Sequence, residues 1–103
     1  MFESLKIFIA AAERGSINGA AETCFITPPA APKRISSLDA EVGVRLFERS
    51  GRGVKLTRAG ESYYRDALKI VAEGEDATAR ARRAAGGSVV IRAGTSILNP
   101  CKP

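Results

Sequence analysis

The sequence predicts a mainly α fold: a winged helix-turn-helix with a two-stranded wing, followed by a long dimerisation helix. Three observations carry that reading. Residues 16–42 read as two short helices separated by a break at Phe25-Ile26-Thr27-Pro28. Residues 46–56 read as a basic hairpin with Gly51-Arg52-Gly53 at its tip. From Gly60 onward, small and apolar residues recur at alternating four–three spacing, close to a coiled-coil seam.

The elements follow in order. Phe2, Leu5, Phe8, Ile9 and Ala12 fall at helical spacing, which predicts a first helix over about residues 3–14. Gly15 suits its left-handed stop, and Ser16 suits the N-cap of a second helix over about 17–23. That helix carries the small pair Ala20-Ala21, which lets a neighbour approach closely; Gly19 weakens it by ~1 kcal/mol relative to alanine. Thr27-Pro28 reads as N-cap and first helical residue of a third helix running to about Glu41. Ala31, Ile35, Leu38 and Val42 form its inner stripe, with Pro29, Lys33 and Ser36 opposite. Gly43 ends it. Leu46–Arg49 and Val54–Leu56 can pair as a hairpin. Thr57 caps a fourth helix over about 58–85, Gly86-Gly87 breaks it, and Ser88–Ala93 reads as a buried strand.

At 103 residues the chain accommodates one small domain and an appendage. Its net charge of +5 and isoelectric point near 9.7 point to a polyanionic partner. The excess is local. Residues 33–58 hold seven basic and three acidic side chains, whereas residues 59–87 balance at five against five. The longest apolar run, Ile7–Ala12, is far short of the ~20 residues that span a bilayer, and no secretory signal is visible. Cys24 and Cys101 are too few for a disulfide framework or a metal site, and Cys24 suits a core position. Without histidine, His-based acid–base catalysis and histidine zinc ligation are excluded, and no nucleophile–base pair is present. No enzyme activity, cofactor or metal is expected.

The helix-turn-helix and hairpin carry the chemistry. A recognition helix presents its N-terminal residues to base edges, while basic side chains hold phosphates. Here Thr27 to Ser36 would enter the major groove. Lys33 faces away from the core stripe and could reach a guanine edge or a phosphate; Arg34, on the flank, suits the backbone. Arg49, Arg52 and Lys55 place three cations on a slim glycine-bearing loop, which suits a phosphate backbone or a narrow minor groove. The expected DNA-contacting set is Ser16, Asn18, Thr27, Pro28, Pro29, Pro32, Lys33, Arg34, Ser36, Arg49, Ser50 and Arg52. On the fourth helix, Tyr64, Ala67, Val71, Gly74, Thr78 and Ala81 form the dimerisation stripe. Such a stripe also suits packing on its own domain, but its length beyond a 58-residue core favours a partner helix. Thr95 and Ser96 follow the last strand, where α/β domains bind small anions, although a plain loop is favoured there.

These residues resemble the N-terminal part of LysR-type transcriptional regulators. The resemblance covers nearly the whole chain. It rests on Leu5, Phe8, Ala12, Gly15-Ser16 and Ala20-Ala21, then Thr27, Pro29-Ala30, Ile35 and Leu38. It continues through Gly43-Val44-Arg45-Leu46-Phe47-Glu48-Arg49, Val54-Lys55-Leu56-Thr57 and Ala59-Gly60. It implies a winged helix-turn-helix DNA-binding domain over 1–58 (helix-turn-helix about 17–38) and a linker or dimerisation helix over 59–86. Residues 87–103 would be the first strand of an effector-binding domain, otherwise absent, with Thr95 and Ser96 its remnant. It further implies a cytoplasmic bacterial regulator that binds double-stranded DNA as a homodimer through the linker helix, with tetramers in full-length relatives. A small-molecule co-inducer would be sensed only if the effector domain were present.

One departure matters. The family commonly has a DNA-facing serine where this chain has Pro32. If Pro28 opened the helix, Pro32 would lie inside it, at a cost of ~3 kcal/mol, and would disfavour helical geometry at Ala31. The helix is therefore expected to kink near Ala31 or to begin nearer Pro32, with lower operator affinity than a Pro32→Ser variant. The alternative function is a dimerisation or protein-interaction fragment, with DNA binding impaired by Pro32 and the missing effector domain.

Overall fold

The computed structural model describes residues 2–86. Four helices and one two-stranded sheet follow in the order α1 (Phe2–Arg14), α2 (Ile17–Cys24), α3 (Ala30–Val42), β1 (Phe47–Ser50), β2 (Gly53–Leu56) and α4 (Arg58–Ala84). The strand expected at Ser88–Ala93, together with Thr95, Ser96 and Cys101, lies outside the described residues.

The α1 helix is the centre of the domain and packs against α2, α3 and α4. Flanked on more than one side, it buries Leu5, Ile7, Phe8, Ala10 and Ala11, a wider band than one amphipathic stripe. Phe2, expected in that stripe, is instead 37% exposed. The Phe8 ring is the hub of an aromatic cluster, 5.3 Å from Phe47 and 5.4 Å from Tyr63 between ring centres. Cys24 lies in the same core.

The α1–α2 corner forms as its residues dictate. Gly15 takes φ +65°, and the Ser16 hydroxyl accepts the Gly19 N–H at 2.9 Å as N-cap. Arg14 reinforces the corner by donating to the Gly19 carbonyl at 3.3 Å and the Thr23 hydroxyl at 3.0 Å. The end of α2 has no glycine. Phe25 adopts the left-handed conformation (φ 58°, ψ 43°), the Ile26 N–H reaches the Ala21 carbonyl at 3.0 Å, and the Phe25 N–H reaches Glu22 at 3.4 Å. This is the Schellman pattern, built on a residue that bears the full steric cost of a side chain.

The start of α3 differs from the Thr27–Pro28 expectation. The helix begins at Ala30, with Pro29 as its cap residue and no side-chain cap. Thr27 contributes its carbonyl, which accepts the Ala30 N–H at 3.0 Å. The reason is Pro32. With no N–H it cannot bond to the Pro28 carbonyl, so the helical ladder opens one residue later, with Lys33. Pro32 then occupies the third helical position, where an N–H would lack an intrahelical partner anyway. The strain of an interior proline is avoided by moving the helix start, the second of the two outcomes expected. Ala31, Ile35 and Leu38 are buried as the stripe predicts, but Val42 is 38% exposed because it is the last helical residue. Gly43 (φ +88°) ends α3, donating to Asp39 at 2.8 Å.

In the wing, β1 and β2 are antiparallel in the register Phe47↔Leu56 to Ser50↔Gly53, leaving a two-residue Gly51-Arg52 turn. Positive φ at Gly51 (+60°) and not at Arg52 is the pattern of a type II′ hairpin turn. The turn is thus tighter than the four residues Ser50–Gly53 suggest. Thr57 joins the wing to α4. Its hydroxyl accepts the Gly60 N–H at 3.0 Å and donates to the Arg45 carbonyl at 2.8 Å, while its N–H donates to the Leu46 carbonyl at 3.0 Å.

The α4 stripe does not form one free seam. Ala67 is fully buried, and Tyr64 and Val71 pack against the same core. Tyr64 donates to the Glu13 carboxylate at 2.9 Å, and a Cβ at Gly74 would collide with the Phe2 ring. These four expected dimerisation residues are therefore engaged by their own domain, because α1 lies along this part of α4. Further on, Thr78 is half-buried and Ala81 exposed. Among the described residues, no helix is long and apolar enough to cross a membrane.

Candidate nucleic-acid interface

Three elements converge on one face. The N-terminus of α2, the outer side of α3 and the wing enclose an open cleft of about 400 Å³. Its lining includes Ser16, Asn18, Pro32, Ser36, Arg49 and Arg52, six residues that the sequence singles out from separate segments. The tie that closes the cleft is a backbone bond. The Val54 N–H donates to the Gly15 carbonyl at 3.1 Å, docking β2 against the α1–α2 corner.

The remaining expected residues are placed differently. Thr27, Pro28, Pro29 and Lys33 are exposed at the start of α3, and Ser50 is exposed in β1. Ser16 is half-buried and its hydroxyl is committed to the α2 cap, so any contact with an anion would share that oxygen. Arg34 is turned toward α1: its guanidinium donates to the Glu3 carboxylate at 2.7 Å. That ion pair neutralises a cation expected to serve the DNA backbone. On the wing, Lys55 lies 3.7 Å from Glu48, its cross-strand partner, whereas Arg49 and Arg52 are exposed.

The cleft also includes residues that the sequence reading left out of the site. Arg45 lies between α3 and the wing and lines this cleft as well as a neighbouring one. Its signal was its membership of the basic excess in residues 33–58, which counts charges without saying which face they take. Asp39 also lines the cleft, but its carboxylate accepts the Leu46 N–H at 3.3 Å. It thereby anchors the strand-entry loop to α3. The surface thus offers Arg45, Arg49 and Arg52 as exposed cations lining a concavity, with Lys33 exposed beside Pro32 at the start of α3. A curved polyanion fits that arrangement better than an isolated small anion.

Comparison with known proteins agrees with this geometry. The family model described as "Bacterial regulatory helix-turn-helix protein, lysR family" matches residues 2–61, more than half of the chain. The HTH-type transcriptional regulator TfdS of Cupriavidus pinatubonensis is 40% identical over 88 residues, covering 85% of this chain and 30% of that protein. BudR of Klebsiella aerogenes is 42% identical over 83 residues, covering 81% of this chain and 58% of that protein. The chain therefore spans less than two thirds of the length of these relatives. Among solved structures, the CbnR DNA-binding domain in complex with DNA superposes with a TM-score of 0.77 at 39% identity, covering 82% of this chain and 98% of that one. The BenM DNA-binding domain in complex with its catB site 1 DNA gives a TM-score of 0.79 at 31% identity, covering 85% and 99%. On the sequence match over residues 2–61 and the shared four-helix winged architecture, the chain belongs to the LysR family of bacterial regulatory helix-turn-helix proteins.

Proposed function

We propose that this chain is a sequence-specific DNA-binding transcriptional regulator, with α3 in the major groove and the wing along the backbone or in the adjacent minor groove. One observation supports it above the others: the shared cleft of α2, α3 and wing, with Arg49 and Arg52 on one wall and Ser36 and Pro32 on the other. Helix-turn-helix proteins read bases from the N-terminal part of the second helix while flanking elements hold phosphates. Lys33, Arg45, Arg49 and Arg52 supply the phosphate contacts, and Asn18 and Ser36 supply neutral donors. The chain acts as a homodimer, with the distal part of α4 as the partner-facing segment, and each protomer addresses one half-site of a pseudo-palindrome.

The test is binding to a pseudo-palindromic promoter fragment across a salt series. With about four phosphates neutralised per protomer, the logarithm of the binding constant should fall against log salt with a slope of roughly −7 for the dimer. A shallow slope, or equal affinity for unrelated duplexes, would overturn the reading.

A further inference from the structure

We propose that the start of α3 reads DNA through apolar contact with thymine C5-methyl groups, made by the exposed rings of Pro28 and Pro32, rather than through hydrogen bonds to base edges. This deepens the DNA-binding reading above and rests on it.

A helix start ordinarily exposes backbone N–H groups that can bind phosphates or bases. Here that supply is nearly exhausted. The cap residue Pro29 and the third helical residue Pro32 have none. Ala30 donates to the Thr27 carbonyl at 3.0 Å, and Ala31 is fully buried. The side chains are equally poor in polar atoms. From Pro28 through Pro32 there is no hydroxyl, amide or charge, and polar groups resume only at Lys33 and Ser36.

What remains exposed is hydrocarbon on rigid rings. Pro32 lies on the lip of the cleft, beside Ser36 and across from the wing. Pro28 is exposed in the turn that leads into α3. In the major groove the one apolar feature of a base pair is the thymine methyl, and apolar side chains pair with it. Proline loses no side-chain rotamer freedom on contact, so such a contact carries little entropic cost. The same rings exclude bidentate hydrogen-bonded readout of purines at these two positions.

The experiment uses the whole 103-residue chain. Bound duplexes are enriched from a random-sequence library, and the selected site is resynthesised with deoxyuridine replacing each thymine in turn. This removes one methyl and leaves base pairing intact. At one or two positions per half-site, affinity should fall about fourfold, the fold-change for one buried carbon at ~0.8 kcal/mol. The double variant Pro28→Gln, Pro32→Ser should bind the thymine and uracil duplexes equally at those positions. Enrichment with no loss at any uracil overturns the methyl proposal and leaves DNA binding intact. Failure to enrich any sequence overturns DNA binding itself, and this proposal with it. The uracil comparison needs only the natural chain, so poor folding of the double variant does not remove the test.

Discussion

The Gly15 carbonyl accepts the Val54 N–H at 3.1 Å, so the wing is held in place by the corner that opens the helix-turn-helix. The neighbouring Gly53 is what lets β2 come so close to that corner. A Cβ there would fall onto the Gly15 carbonyl oxygen, a backbone atom that cannot rotate away. Gly53→Ala should therefore destabilise the domain by about 1–3 kcal/mol, in the range of overpacked sites. The measurement is a urea midpoint, expected to fall with an unchanged slope. An unaltered midpoint would mean that the wing is not docked on Gly15.

Two arginines that look alike in sequence should behave differently. Arg52 is exposed at the wing tip, whereas Arg34 donates to Glu3 at 2.7 Å. Arg52→Ala should reduce the salt slope of DNA binding by roughly 1 per protomer. Arg34→Ala should leave that slope unchanged and shift stability by less than about 1 kcal/mol, since the pair is well exposed to solvent. Equal loss of slope in both variants would show that Arg34 leaves Glu3 when DNA binds.

Phe25 is the one non-glycine residue with positive φ among the described residues, and it is 69% exposed. Its ring gains little from burial while its backbone bears the cost of the left-handed conformation. Phe25→Asn should stabilise the domain by about 1 kcal/mol, with asparagine better suited to that conformation. Differential scanning calorimetry would show the gain as a rise of several degrees in Tm. A fall in Tm would identify an unrecognised packing role for the ring.

These cases show which signals the sequence carries. Ser16, Thr57, Gly15 and Gly43 are legible because each residue type names its own backbone role. Phe25 is illegible for the converse reason: a Schellman stop without glycine has no residue-level signature. Pro32 was legible as a conflict, and the conflict was resolved by moving the helix start to Ala30. For the candidate face, the sequence singles out Ser16, Asn18, Pro32, Ser36, Arg49 and Arg52, which line one cleft, but not the ion pairs around them. Glu3 and Arg34 are 31 residues apart, and nothing local says that they meet. The α4 periodicity likewise specified a buried stripe but not which surface buries it.

Two tyrosines make stability sensitive to alkaline pH. The hydrogen bond to Glu13, then burial, then the Glu13 charge raise Tyr64 above its ordinary value near 10. Burial, with a smaller effect of Glu41, raises Tyr63. A raised pKa means that the folded state holds the phenolic proton more tightly than the unfolded state. The associated stability is intact below pH 10 and is lost as pH rises through the folded values. The Tm should thus fall as pH rises above 10, and that of Tyr64→Phe should fall less steeply there. Parallel pH profiles for the two proteins would remove Tyr64 from the effect.

The dimer contact should divide along α4. Ala67 is fully buried within its own domain, so Ala67→Leu should cost about 1–3 kcal/mol of folding stability at every protein concentration. Ala81 is exposed one residue after Arg80, which pairs with Glu73 at 2.8 Å on the helix surface. Ala81→Glu should leave folding of the domain unchanged. It should weaken self-association at least tenfold in sedimentation equilibrium, because burying an unpaired carboxylate in a helix–helix contact costs well over 1.4 kcal/mol. The opposite pattern, a dimer indifferent to Ala81→Glu, would move the partner helix away from the distal turns. The proposed association falls to those turns because the proximal half of the stripe is already covered by α1 and the core.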